Sequence, residues 1–319
     1  MTAHPLEDRG HEAFDEDPDP DLPDASLDDA AVDAAADPTG GDAGLDDTDP
    51  GLPPEVLPWL RGLFGPGDTA DAVRRVLDAA GAAGAGTRAL AATFPRAEIL
   101  VADRSPARLA RAAIRAARAG IGDRVGTRRA DHPADHAALG PAELVWTGNA
   151  CRRLGDQQWA LTGLAAALRP GGILAVAERG LPPRYLPRDI GIGRPGLQAR
   201  LDAVEESLIA ADRARLPGSV PVVEDWPRLL AAAGLVPTGS RTFLVDLPAP
   251  LGLAARRRLH ARLTRLLAEA GDLLDLVDRL TVEELVDGDA CTGILWRPDA
   301  FYLTAVTVHT ARLCAPRAC

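Results

Sequence analysis

The stretch from Arg74 to Ser105, RRVLDAAGAAGAGTRALAATFPRAEILVADRS, constrains this chain more than any other part of it. Arg75-Val76-Leu77-Asp78 reads as a short apolar strand closed by an acid. Gly81, Gly84 and Gly86 follow, and residues without a Cβ let a backbone turn tightly and approach a ligand closely. Arg88 to Thr93 carries a helical pattern, and Glu98 to Ala102 is a second apolar strand that ends at Asp103. Asp103 stands 25 residues after Asp78. Nucleotide-binding α/β folds hydrogen-bond a ribose with an acid at that point, so the unit implies an adenosine-containing cofactor.

From there strands and helices alternate in the rhythm of a parallel sheet. Ser105 and Pro106 open the next helix as N-cap and first-turn proline, with Leu109 and Ala113 expected on its inner face. The next pieces are assigned by resemblance to a known α/β family: Arg128-Arg129-Ala130-Asp131-His132 resembles the end of its third strand, and Glu143 to Asn149 (ELVWTGN) its fourth strand with the tip. Leu168-Arg169-Pro170-Gly171-Gly172, then Ile173 to Glu178, resembles its helix end, turn and fifth strand, and Trp226 to Leu235 its following helix with a glycine stop. Arg241 to Leu247 reads as the sixth strand and Tyr302 to Ala311, which alternates well, as the seventh.

In this order the pieces resemble a class I S-adenosylmethionine (SAM)-dependent methyltransferase over roughly residues 60 to 313. The LRPGG segment is the most specific single piece. The resemblance implies a doubly wound, Rossmann-like α/β fold with a seven-stranded, mostly parallel sheet. It implies SAM as cofactor, with the loop around Asp78, Gly81 and Gly84 meeting the methionine part. Asp103 would take the ribose hydroxyls and Asp131 the adenine edge, while Asn149 would lie near the sulfonium and the incoming substrate. Similar sequences often carry histidines soon after the fourth strand; here that place is Cys151-Arg152-Arg153, and no general base is identified.

One departure matters. Counted from Asp78, the family's three loop glycines fall at 80, 82 and 84, where this chain has Ala80, Ala82 and Gly84. A loop slipped by one residue would use Gly81 and Gly86 instead. In the unslipped register each added methyl intrudes where backbone and cofactor meet.

Residues 1 to 50 are a different material. They hold 17 acids against a single basic residue, Arg9, with one aromatic, Phe14. Such a segment buries too little apolar surface to offset its ordering entropy, so an acidic disordered tail is expected. The remaining 29 acids and 34 bases give residues 51–319 a net charge of +5, too weak a bias to argue for nucleic acid. The chain has no lysine, which excludes Schiff-base enzymes, Walker-type loops and Tyr-x-x-x-Lys reductases. Its four cysteines form no Cys-x-x-Cys pair, and neither a disulfide framework nor a metal site is indicated. No apolar run reaches a membrane span, and no signal peptide is apparent, so a cytoplasmic location is expected.

The expected domain, 51–319, departs from the plain family core in two places. Residues 179–221 form an insertion at the end of the fifth strand, where open α/β sheets place their substrate crevice. Its first part, Gly180 to Pro187, reads as irregular, a glycine-rich stretch follows, and a helix runs from about Leu197 to Leu216. Arg184, Tyr185 and Arg188 are its substrate-side candidates, with pinning of the loop as the alternative role. Residues 251–296 form a helical insertion in which Leu259, Leu263, Leu266 and Leu267 make an apolar stripe and Arg258, Arg262 and Arg265 a solvated face. Ahead of the first strand, Gly51 to Phe64 carries a short apolar helix pattern that packs on the core or lids the cofactor, and Asp68 or Thr69 is a candidate cap beyond it.

Three functions fit. The first is methyl transfer from SAM to a small-molecule acceptor. The second is a catalytically silent methyltransferase-fold module for binding or assembly. The third, resting on the Gly81-x-x-Gly84-x-Gly86 spacing, is an NAD(P)-dependent reductase. Overpacking costs ~1–3 kcal/mol, a roughly 5- to 150-fold loss of affinity. An Ala80→Gly, Ala82→Gly double variant is therefore expected to bind SAM more tightly in calorimetry; unchanged affinity would show that the loop register is slipped.

Overall fold

The computed structural model describes residues 52–65, 71–79, 85–130 and 133–314. The acidic segment 1–50, the loop with Ala80, Gly81, Ala82 and Gly84, the candidate caps Asp68 and Thr69, and Asp131 with His132 lie outside the described residues.

The chain begins with helix α1 (Val56–Gly62), strand β1 (Arg75–Ala79), α2 (Ala85–Thr93), β2 (Glu98–Asp103), α3 (Pro106–Arg118) and β3 (Val125–Arg129). It continues through α4 (Pro133–Ala137), β4 (Ala142–Gly148), a 3-10 turn (Cys151–Arg153), α5 (Gln157–Ala166) and the long β5 (Leu168–Arg184). Then come α6 (Leu197–Arg215), α7 (Trp226–Ala232), β6 (Val236–Leu247), α8 (Leu253–Ala270), α9 (Leu276–Val286) and β7 (Tyr302–Arg312). The strands form one sheet in the order β3-β2-β1-β4-β5-β7-β6, and β7 alone runs antiparallel to its neighbours. This is the doubly wound, mostly parallel α/β fold expected from the sequence, and β1 and β4 flank the point where strand order reverses.

Successive residues of the central strands enter different cores, because both faces of the sheet are covered. Val76, Leu144 and Ile173 pack with α1, α2 and α3, whereas Leu77, Val145 and Leu174 pack with α5 and α7. Helix α1 reaches the far edge of the sheet through Trp59, whose ring meets Phe243 of β6 edge-on at 5.6 Å. Arg312 ties it down, donating to the Leu63 carbonyl at 2.8 Å and to the Gly171 carbonyl at 2.6 Å. A third core, built by Tyr185, Leu186, Leu201, Leu263, Val282 and Tyr302 among others, belongs to the lobe of α6, α8 and α9.

Several local expectations are corrected. The LRPGG segment is not the end of a helix: α5 stops at Ala166, and β5 begins at Leu168 with an irregularity before Ile173. Gly171 has φ +82°, and a Cβ on Gly172 would stand 2.9 Å from the Arg169 carbonyl and 3.0 Å from that of Glu143. The turn is made inside the strand, and only glycine fits there. The Gly180–Pro187 segment is strand as far as Arg184, pairing with β7 across two register shifts; such irregularities accommodate Pro182 and Pro183. Strand β6 starts at Val236, five residues before Arg241, because a bulge between Pro237 and Gly239 absorbs both turn-forming residues. Ala113 is exposed; Leu109, Ala112 and Ala116 line the inner face of α3.

The arginine face of α8 is not solvated throughout. Arg262 is buried and donates to both carboxylate oxygens of Glu205 on α6, at 2.7 and 2.6 Å. Burial pushes the Glu205 carboxyl above its ordinary range even with Arg262 pulling the other way. Removing one partner of such a pair strands a buried charge and costs about 3–5 kcal/mol, whereas replacing both by apolar groups of similar volume is often neutral. Arg262→Ala is therefore expected to lower the urea midpoint strongly, and Glu205→Leu with Arg262→Met to recover most of that loss. Equal losses in the single and the double variant would contradict this account.

Candidate functional site

Two buried acids stand at the C-terminal ends of neighbouring parallel strands, Asp78 on β1 and Asp103 on β2. Asp78, next to last in β1, is fully buried and stands opposite Val101 of β2 and Trp146 of β4. Thr87, in the first turn of α2, donates its hydroxyl to Asp78 Oδ2 at 2.7 Å. The other carboxyl oxygen, Oδ1, has no hydrogen-bond partner among the described residues. Burial pushes the Asp78 carboxyl up to about 6; the Thr87 hydrogen bond pulls it down, and the negative charge of Asp103 pushes it up a little further. The two acids predicted from their spacing are thus near enough to feel one another.

Asp103 ends β2 and is itself buried; its Oδ1 accepts the backbone N–H of Ser105 at 2.8 Å. Ser105 in turn caps α3 by accepting from the Arg108 N–H at 3.4 Å. Division of labour follows: Ser105 serves the helix, and Asp103 shapes the turn that leads to it. Asn149 lies just beyond β4 in the left-handed region, φ +52°, and its N–H donates to the Ala177 carbonyl at 2.8 Å. Gly86 is the second residue of α2 rather than part of a loop, and a Cβ there would meet only Trp146 Nε1 at 3.9 Å. Nothing in this contact demands glycine at 86.

The three substrate-side candidates separate. Arg184 is half-buried and pairs with Asp202 of α6 at 2.5 Å. Tyr185 is buried in the third core, and burial pushes its hydroxyl up to about 12. Arg188 presents an exposed side chain, while its carbonyl accepts the Gly196 N–H at 2.6 Å. Arg184 and Tyr185 therefore help hold the helical lobe together.

Sequence reasoning passed over Thr87 and Glu178. Glu178 is buried on β5 just past Ala177, the last residue that pairs with β4, and accepts the Cys151 N–H at 2.9 Å. Its signal was available: like Asp78, it is an acid closing an apolar run, ILAVAE. Cys151 is no nucleophile here, since burial first and Glu178 second hold its thiol well above the ordinary range.

A cavity of about 310 Å³ lies elsewhere, between α7 and the β6–β7 edge, lined by Leu230, Ser240, His309 and Thr310 among others. None of its lining side chains has a buried, unpartnered polar atom. The acids at the strand ends, rather than this cavity, make the candidate site. Among the described residues no group of three His, Cys, Asp or Glu side chains is placed to hold a metal, and no helix is long and apolar enough to cross a membrane.

Residues 77–174 match a family model described as a methyltransferase domain. No curated protein matches the chain. Solved structures similar to it include a Galdieria sulphuraria protein assigned as a sarcosine dimethylglycine methyltransferase, 16% identical with a TM-score of 0.44, the alignment covering 82% of this chain and 85% of that one. The Haemonchus contortus phosphoethanolamine N-methyltransferase 2 with bound SAM is 16% identical, with a TM-score of 0.43 and 82% of this chain aligned to 52% of that one. The Bacillus subtilis YcgJ protein is 16% identical, with a TM-score of 0.42 and coverage of 82% and 98%.

A carboxyl held neutral by burial stabilises the fold fully below its unfolded pKa of 3.8, and that contribution is lost as pH rises through its folded value of about 6. The step is on the order of 3 kcal/mol. Asp78→Asn has no such titration. Its stability relative to the parent is expected to climb between about pH 4 and pH 6 and to be the higher of the two at pH 7, as read from urea midpoints. A pH-independent difference would show that Asp78 is not buried as described.

Proposed function

We propose that this chain, whose residues 77–174 match a methyltransferase-domain model, is a class I methyltransferase that binds SAM at the tips of β1, β2 and β4 and transfers its methyl group to a small-molecule acceptor. The observation that carries the reading is Asp78: a fully buried acid at the point of strand-order reversal whose Oδ1 has no partner among the described residues. A buried acceptor of this kind is costly unless a donor reaches it. SAM offers such donors in its ammonium and ribose hydroxyl groups.

The residues present fit that cofactor. Asp78 would hold the methionine end with the loop of Gly81 and Gly84, and Thr87 occupies Oδ2 so that Oδ1 faces the incoming donor. Asp103 would take the ribose hydroxyls, Asp131 the adenine edge, and Asn149 would border the acceptor. When bound, SAM supplies an electrophilic methyl on a sulfonium, open to in-line attack. The chain's own contribution is then to align two reactants and exclude water, and this can supply much of a rate enhancement. The buried thiol of Cys151 takes no part in proton transfer, and Arg188 is the exposed side chain left to meet the acceptor on the inserted segment.

Two alternatives fare differently. The dinucleotide-binding order is 3-2-1-4-5-6. Here β7 is inserted antiparallel between β5 and β6, which argues against the reductase. Ala80 and Ala82 favour a silent module, so turnover has to be separated from binding.

Calorimetric titration with S-adenosylhomocysteine, with NADPH in parallel, tests the reading. Micromolar binding of the former alone is expected. It should strengthen as pH rises from about 5 to 7, because an ammonium donor favours the ionised Asp78, and Asp78→Ala should abolish it. Absence of heat up to millimolar ligand would leave the silent module.

A further inference from the structure

We propose that Glu178 is a positioning residue: its carboxylate holds the turn after β4 in the shape that presents Asn149 to the crevice. The functional part of this inference rests on reading that crevice as the cofactor and acceptor site.

The turn is demanding. Asn149 adopts φ +52°, a region that residues other than glycine occupy when their surroundings over-determine it. Both constraints come from β5. The Asn149 N–H donates to the Ala177 carbonyl at 2.8 Å, and two residues later the Cys151 N–H donates to Glu178 Oε1 at 2.9 Å. The first bond uses only backbone and is open to any sequence. The second needs an acceptor side chain at 178.

The surroundings make that acceptor hard to replace. Glu178 is 4% exposed and Cys151 1%, so without the carboxylate the Cys151 N–H would be sealed away from water with nothing to bond. Cys151 packs beneath the turn, its Sγ 3.9 Å from Thr147 Oγ1. The adjacent Arg152 lies 3.7 Å from Glu206 of α6. The Glu178 carboxylate thus holds the tip of β4 one residue from the place where the helical lobe meets it. An amide at 178 keeps an acceptor oxygen for the Cys151 N–H, which separates the clamp from any direct use of the charge.

Cys151 is a reporter of the turn that needs no cofactor. The full chain is treated with N-ethylmaleimide, and modification of the Cys151 peptide is followed by mass spectrometry, which distinguishes it from Cys291, Cys314 and Cys319. Wild type and Glu178→Gln are expected to stay protected. Glu178→Ala should label roughly 10-fold faster or more, beyond what its unfolding midpoint explains, and should bind S-adenosylhomocysteine more weakly by a similar factor. Equal protection in the alanine variant overturns the clamp. If Glu178→Ala does not fold, Glu178→Gln decides: lost ligand affinity with Cys151 still protected means that Glu178 meets the ligand itself, which also overturns the proposal. Should wild type bind no S-adenosylhomocysteine, the proposed function fails, and the labelling contrast alone decides the clamp.

Discussion

Coverage of the sheet on both faces is the constraint from which the rest follows. Strands β1, β4 and β5 lie between two helical layers, so their middles have no position at which a polar side chain meets water. Val76 and Leu77, Leu144 and Val145, Ile173 and Leu174 fill the two cores in alternation. Polar side chains are driven out of these middles: Asp78, Asp103 and Thr147 stand near the ends of β1, β2 and β4, and Glu178 where β5 stops pairing with β4, all buried. The same pressure that makes the sheet apolar therefore concentrates its chemistry along one edge. Asp78 shows what this costs: a carboxyl kept where its charge is unwelcome, with Thr87 bonded to one oxygen only.

The opposite edge is pinned to keep that arrangement in register. Glu143 Oε2 accepts the backbone N–H groups of Arg74 and Arg75 at 3.2 and 2.8 Å, while its other oxygen pairs with Arg169 at 2.5 Å. These bonds fix the start of β1 against β4 and β5. Arg124 reaches the carbonyls of Ala91, Phe94 and Ala97 at 3.3, 3.5 and 3.2 Å, closing the C-terminal end of α2. With both far ends held, β1 and α2 bring Thr87 to Asp78.

Much of this was legible in the sequence because it is local. An acid after an apolar run, a Ser-Pro helix start and an alternating last strand each announce themselves within a few residues. Tertiary closure was not legible. Gly172 signals a turn, but only the approach of the Glu143 carbonyl explains why the turn lies inside a strand. Arg262 reads as one more surface arginine on α8 until α6 brings Glu205 against it from 57 residues away. Tyr185 follows two prolines and looks like a loop tip, yet it is core. At the candidate site, spacing alone singles out Asp78 and Asp103, whereas Thr87 and Glu178 gain their meaning from what stands across from them.

Beyond Ala177, β5 leaves β4 behind and continues with β7 and β6 as a three-stranded antiparallel ribbon. That ribbon leads to a lobe with its own interior, to which, among the described residues, β1–β4 contribute no buried side chain. The architecture is that of a fixed tool with an exchangeable head. Changes to the packing of α6, α8 and α9 meet mainly other residues of the lobe; Arg152 against Glu206 is where the lobe reaches the turn after β4. Evolution, or an engineer, is free to recut the lobe across a narrow ribbon while the sheet that carries Asp78 and Asp103 stays as it is.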